Sequence, residues 1–248
     1  MSVTVRTDNK VTDQLVVKCY EVDADKKLKP TSFMDMAQEM AYQAAAVMHF
    51  GYDELIIRNK AWVLSRMHFR FLDTPAWGNS IEIRTWHRGA FGPFFVRDFE
   101  VLGTDGKRLV EATSSWVVID TESRTMARPE DVLPTEDSSC SDYAIETPAA
   151  KVMMPRGKEQ EFVMTHKVAY SDIDLVGHTN NARYIAWAMD CLPDGGKGVS
   201  VREVEVVFHH EALAGEEVSL YRVIEGDSCF IEGRTAEHPI FCTRLILS

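Results

Sequence analysis

The same local order of signals occurs twice along this chain, and that repetition limits the folds open to it more than any other feature. Near the start a strand-like run, VVKCY (residues 16–20), leads to Asp23 and Asp25 and then to a helical pattern near 32–50. In the second half HKVAY (166–170) leads to Asp172 and Asp174 and then to a helical pattern near 180–192. Tyr20 matches Tyr170, and Asp25 matches Asp174 once one residue is inserted in the first half. A degenerate repeat of this kind predicts two structurally similar halves. The chain of 248 residues has room for one large domain or two of about 120 residues.

The first helical stretch places Phe33, Ala37, Met40, Ala44 and Val47 in one apolar row, with Met34, Ala41, Ala45 and Met48 beside it. Nearly its whole circumference reads as apolar or small, which predicts a buried helix of roughly 28 Å inside a wrapping sheet. Asp35 is expected in its first turn, where the helix dipole favours it, and Gly51 as its C-terminal cap. Runs rich in β-branched and aromatic residues follow at 62–72, 80–89, 94–103 and 109–120, separated by Gly, Pro and Asp turn signals. The second half repeats this at 199–213, 218–226, 228–236 and 239–248. The stretch between is rich in Pro, Glu, Asp and Ser and lacks periodicity. The organisation predicted is therefore a first half over 1–130, a mostly extended linker over 131–158 and a second half over 159–248. One long helix with several antiparallel strands, twice, is an α+β architecture.

The chemistry concentrates in Ser171–Asp190, which reads SDIDLVGHTNNARYIAWAMD. Asp172, Asp174, Val176 and His178 are spaced two apart, so an extended segment would point all four to one side. Gly177 permits a tight turn, and Thr179 or Asn180 can cap a helix running through Tyr184, Trp187 and Met189. A histidine and an aspartate are thus expected beside the amino end of a helix. Backbone N–H groups near Gly177–Asn180 are candidates there for an oxyanion site. That layout suits acid/base chemistry on an acyl group. Asp, Asn and Gly are also the usual residues of a turn before a helix, so the string alone is more often cap chemistry than catalysis.

Glu211 ends a run in which Val201, Glu203, Glu205, Val207 and His209 share its face; the plain alternative is a solvated edge carboxylate. His209 and His210 could join His178 and Glu211 at a metal, but no spacing fixes ligand geometry. His49, His68, His87, His166 and His238 form no evident constellation. No GxSxG string is present, which disfavours a serine hydrolase.

Charge and composition narrow the partners. A net charge of −11 argues against nucleic acid. No run of 18 apolar residues is present, so no membrane span is expected. The start lacks the apolar core of a signal peptide and the Arg/Ser bias of a transit peptide. Five scattered cysteines, odd in number and without a CxxC pair, fit reduced thiols in a cytoplasm.

Three blocks carry a resemblance to the plant and bacterial acyl-acyl-carrier-protein thioesterases. They are AWVLSRMHFRFLDTPAWGNSIEIRTW (61–86) with RDFEV (97–101) and EATSSWVVIDTESRTMARP (111–129), then SDIDLVGHTNNARYIAW (171–187), then VEVVFHHEALAGEEV (204–218). The resemblance implies a tandem double hotdog, each half a long helix wrapped by a curled antiparallel sheet. It also implies hydrolysis of fatty acyl-acyl carrier protein to free fatty acid, with no metal or organic cofactor. On it, His178 matches the catalytic histidine, Asp174 the catalytic aspartate and Glu211 the catalytic glutamate, and Asn180 and Asn181 match the paired asparagines. Val176 replaces the family's usual asparagine, and Ala212 stands where a cysteine is frequent. The family's acyl pocket lies in the first hotdog, so Met34, Ala37, Ala41, Ala45 and Met48 are the pocket candidates. The implied partner, acyl carrier protein, is acidic, which makes Arg66, Arg70, Arg183, Lys197 and Arg202 candidates for its dock. The chain would be a monomer, as an internal pseudo-dimer, or a homodimer. Competing readings are an acyl-CoA thioesterase, another hotdog enzyme such as a hydratase, or a module that binds acyl groups without catalysis.

Overall fold

The structure, a computed structural model, describes residues 3–128, 132 and 139–248. These fall into two compact units: residues up to Ser65 with Phe69–Ala149, and Arg66–His68 with Ala150–Ser248. The opening part of the expected linker, residues 131 and 133–138, lies outside the described residues.

The first unit contains strands β1 (Thr4–Val5) and β2 (Val11–Val16), helices α1 (Pro30–Val47) and α2 (Tyr52–Ile56), and strands β3 (Lys60–Phe71), β4 (Ser80–Phe91), β5 (Phe94–Gly103) and β6 (Arg108–Asp120). Its strands run in the order β1-β2-β4-β5-β6-β3, and β1 through β2, β4, β5 and β6 pair antiparallel. The four long strands coincide closely with the alternating runs read from sequence. VVKCY is not itself a strand: β2 ends at Val16, and Cys19–Glu21 form a single 3₁₀ turn.

Helix α1 presents Phe33, Met34, Ala37, Met40, Ala41, Ala44 and Ala45 to the interior. Phe33 packs on Phe69 and Phe71 of β3, with ring centroids 4.9 and 6.2 Å apart. Burial of a large apolar side chain stabilises by about 1.5–3 kcal/mol, so this row holds the helix in place. The expected all-round burial is not found. Asp35, Glu39, Tyr42 and Ala46 lie along an exposed line, so α1 is amphipathic. Both ends also differ from expectation. The helix begins at Pro30, suited to a first turn by its fixed φ and absent N–H, which leaves Asp35 beyond the first turn. At the other end His49, at φ +60°, takes the left-handed position, while His49 and Phe50 N–H groups return to the Ala46 and Ala45 carbonyls. Gly51 instead opens α2; a Cβ there would stand 3.0 Å from the Ala46 backbone.

The face of β4 and β5 that carries Trp86, Arg88 and Asp98 is also covered, with Cys140 and Ala144 packed on Trp86. Residues 139–149 run across it. Cys140 N–H donates to the His87 carbonyl at 2.9 Å, and the Trp86 indole donates to the Asp142 carbonyl at 2.9 Å. Ala144 N–H donates to Asp98 Oδ2 at 2.8 Å, and Arg88 reaches the Ile145 and Glu146 carbonyls. Lys10 Nζ pairs with Asp142 at 2.8 Å. Burial pushes the Asp98 carboxyl up, against the bonds from Thr113, Ala144 and Arg88.

The second unit contains β7 (Glu161–Lys167), a 3₁₀ turn at Tyr170–Asp172, α3 (Asn181–Asp190), and β8 (Val201–Phe208), β9 (Glu217–Glu225), β10 (Ser228–Arg234) and β11 (Pro239–Leu247). The strand order is β8-β11-β10-β9-β7, antiparallel throughout. Helix α3 buries Ala182, Tyr184, Ile185, Trp187 and Ala188, and Tyr184 packs 5.1 Å from the Phe241 ring of β11. Tyr20 and Tyr170 occupy matching 3₁₀ turns ahead of their helices, as the repeat predicts. Among the described residues no helix is long and apolar enough to cross a membrane.

Candidate active site

Between β7 and α3 the chain closes a very small hairpin. Ile173 and Thr179 form an isolated antiparallel bridge. Within it Asp174 N–H donates to the His178 carbonyl at 2.9 Å, and Gly177 N–H to the Asp174 carbonyl at 3.1 Å. Gly177 sits at φ +86°, a conformation that costs a residue with a Cβ but not glycine. Asp174 Oδ1 accepts the N–H groups of Val176 (3.0 Å) and His178 (3.3 Å). This is the turn that aspartate side chains favour. The predicted extended segment is therefore absent: Asp172 is buried, while Val176 is exposed. Asp174 meets His178 through the backbone and thereby sets where the imidazole starts.

Asn180 caps α3, its Oδ1 accepting Ala182 N–H at 2.8 Å. That bond fixes the orientation of its amide at the positive end of the helix. Strand β8 ends at Phe208, so Glu211 lies on the following coil and not at a strand end. His209 and His210 N–H groups both donate to the Ile240 carbonyl, which turns the chain back. Two clamps then bring this coil to the hairpin. Thr179 donates to the Ala212 carbonyl with its N–H (3.1 Å) and its Oγ1 (2.7 Å). Ala212 N–H donates to the Tyr184 hydroxyl at 3.1 Å. Burial pushes Tyr184 up to about 12, so the phenol stays neutral as a fixed hydrogen-bonding group.

With Thr179 bound to Ala212, the residues on their other sides meet. His178 Nε2 stands 3.0 Å from Glu211 Oε2, the side chains 39% and 42% exposed. The structure thus unites His178 and Glu211, places Asp174 beneath the histidine and Asn180 at the helix start. An imidazole in contact with a carboxylate, open to solvent on one side, can orient and deprotonate a water molecule.

Other expectations drawn from the sequence fare differently. The amides of Gly177, His178, Thr179 and Asn180 are all engaged, with Asp174, Asp174, Ala212 and Asp172 respectively, so they do not form an oxyanion site. Cys191, just after α3, is fully buried and its thiol is pushed up to about 12 by burial, so it serves packing and stays an unreactive thiol. His210 stacks on His238 at 4.1 Å, and the His209 imidazole is pushed down by burial and by Lys151, His210 and Arg66. Among the described residues no three metal-ligating side chains gather at one point. Met34, Ala37, Ala41 and Ala45 are buried on α1, and Met48 is half-buried at its end. Of the basic residues, Arg70 is paired with Glu111 and Arg202 with Asp227, both at 2.7 Å, while Lys197 is exposed. Sequence reasoning missed the Tyr184–Thr179–Ala212 clamp and the pairing of His166 with Asp172. The only signal for the latter was a histidine six residues ahead of an aspartate across a turn.

Comparison with known proteins gives a consistent result. The family described as acyl-ACP thioesterase N-terminal domain matches residues 8–134, and the acyl-ACP thioesterase C-terminal domain matches residues 156–238. The chain is 27% identical over 194 residues to a palmitoyl-acyl carrier protein thioesterase of Arabidopsis thaliana, covering 72% of this chain and 46% of that protein. It is 24% identical over 227 residues to an oleoyl-acyl carrier protein thioesterase of Coriandrum sativum, covering 80% and 55%. The chain spans about half the length of these curated relatives. A solved acyl-ACP thioesterase from Bacteroides thetaiotaomicron superposes with a TM-score of 0.84 at 25% identity, over 97% of this chain and 98% of that one. The 12:0-ACP thioesterase from Umbellularia californica gives 0.85 at 20% identity, over 97% of both. The fold is the tandem double hotdog that the resemblance implied.

Proposed function

The chain belongs to the acyl-ACP thioesterase family, and from that premise we propose that it hydrolyses the thioester of fatty acyl-acyl carrier protein to free fatty acid and carrier protein. The observation that carries this reading is the His178–Glu211 contact at 3.0 Å, on two loops that lie within the matched C-terminal domain.

Glu211, with His178 at its side, orients a water molecule and takes its proton as the oxygen attacks the acyl carbon. Asp174 holds the turn that presents His178. Asn180 and the amino end of α3 supply positive potential where charge gathers on the carbonyl oxygen. The C–S bond then breaks, and the proton taken from water passes to the departing thiolate through His178. Hydroxide is thus added to the acyl carbon and hydrogen to sulfur, and the residues return to their starting state.

The buried Met/Ala row of α1 serves as the acyl wall, since alanine leaves room and methionine adapts to a flexible chain. Lys197, exposed shortly after α3, is the leading candidate to meet the acidic carrier. All five cysteines are free and four are buried, which supports a reducing compartment such as the cytoplasm.

Thiol release measured side by side on acyl-acyl carrier protein and acyl-CoA thioesters tests the reading. Turnover on the carrier-bound substrate is expected, with His178→Ala lowering kcat by about 10²–10⁴-fold in a folded protein. Preference for acyl-CoA would point to the coenzyme-A thioesterase instead, and no thiol release on either would point to an acyl-binding module.

A further inference from the structure

A second histidine–carboxylate pair stands behind the first. Asp172 is 5% exposed and lies at the entrance to the hairpin that carries His178. Its Oδ2 accepts Ala169 N–H at 2.8 Å and meets His166 Nε2 at 2.9 Å. Its carboxylate also takes a bond from the Trp187 side chain. Because an ionised carboxylate only accepts, Nε2 of His166 carries the proton. One carboxylate therefore gathers β7, the 3₁₀ turn and α3. The His166 ring lies against the Trp187 ring, with centroids 4.2 Å apart and planes 31° apart. Burial alone would raise the Asp172 carboxyl, but the bonds from Ala169, His166 and Trp187 hold it below its usual range.

The backbone of Asp172 closes the arrangement. Its carbonyl accepts Asn180 N–H at 2.8 Å. Asp172 is thus fixed at one end of the hairpin and grips the residue at the other, with Asp174 and His178 between. Building on the thioesterase reading, we propose that Asp172 and His166 are positioning residues for hydrolysis. They act through His178 by holding the hairpin at the height where its imidazole meets Glu211. Replacing the carboxylate by an amide leaves one acceptor oxygen for three donors and adds an N–H₂ that faces them. The hairpin then loses its anchor while His178, Glu211 and the acyl wall remain intact.

The test is a double-mutant cycle on the full chain, with dodecanoyl- and palmitoyl-acyl carrier protein as substrates and melting curves run on every variant. Asp172→Asn is expected to lower kcat by about 10–100-fold, the scale of a small misplacement, with little change in KM. On the His178→Ala background the same change should cost nothing further, because the group through which it acts is gone. A purely structural role would instead multiply the two losses. His166→Leu should lower kcat, and His166→Gln, which keeps an N–H for Asp172, should recover most of it. If Asp172→Asn fails to fold, the two His166 variants decide, and glutamine no better than leucine overturns the proposal. Wild-type kcat in a folded Asp172→Asn protein overturns it as well. Absence of thiol release by the wild-type protein would instead strike the thioesterase reading and this inference with it.

Discussion

Tyr184→Phe removes a single oxygen from the floor of the site, and the structure sets the size of the effect. The ring is buried, and its contacts with Phe241 and Trp187, at 5.1 and 5.0 Å, survive the change. What is lost is the acceptor for Ala212 N–H, in a residue with no exposed surface. An unsatisfied buried donor costs about 1–3 kcal/mol. A loss of about 2 kcal/mol should lower the melting temperature by roughly 4–8 °C for a chain of this size. Ala212 adjoins Glu211, so the coil that carries the glutamate loosens and kcat should fall about tenfold while KM holds. Thermal melting and thiol release on one preparation read both effects. Thr179→Val, which removes the Oγ1 bond to the Ala212 carbonyl, should combine with Tyr184→Phe less than additively, since both act on one peptide unit. An unchanged melting temperature with wild-type turnover would refute the idea that this clamp sets the position of Glu211.

Three further outcomes are expected. Ala45→Leu, on the buried face of α1, should shift the chain-length profile towards shorter acyl groups, because each displaced methylene is worth about 0.8 kcal/mol; lower stability with an unchanged profile would make that face plain core. Val176→Asn should leave the melting temperature unchanged, since the side chain is exposed, and should raise turnover if the asparagine usual in the family contributes to the transition state; unchanged kcat refutes that role. Burial pushes Cys229 up to about 11 and Cys191 and Cys242 up to about 12, so above the ordinary thiol value the folded chain holds more protons than the unfolded one. Stability should therefore be intact below about pH 8.5 and fall as pH rises towards 12, with a shallower decline in Cys242→Ala, as urea titrations at stepped pH would show.

The strands and the repeat were legible because period-two alternation is a local signal, and β5 and β9 fall within a residue of their expected bounds. The exposure of Tyr42 and Ala46 on α1 was not, since tyrosine and alanine count as apolar in a pattern while tolerating solvent. The spacing of Asp172, Asp174, Val176 and His178 suggested an extended strand, but the local bonding of Asp174 to two amides prevailed over periodicity. His178 and Glu211 could be named from sequence, whereas their union depends on Thr179 reaching Ala212, 33 positions away. That partner also occupies an amide expected to bind an oxyanion. No local signal carries a bond of that range.

The band at 139–149 has a bearing on how such a chain could arise or be divided. If the two hotdogs descend from one ancestral unit by duplication, a copy without this band would leave Trp86 and Arg88 facing water and Asp98 stripped of its amide. The present first unit has therefore come to depend on sequence that the repeat itself does not contain. A gene fission at residue 130 would separate β5 from the covering that lets it carry a buried aspartate, whereas one placed after Ala149 would keep that covering with its sheet. The spacer between the repeats is in this respect part of the ancestral unit's adaptation, and selection on its sequence should be as strict at Asp142 and Ala144 as in the strands beneath.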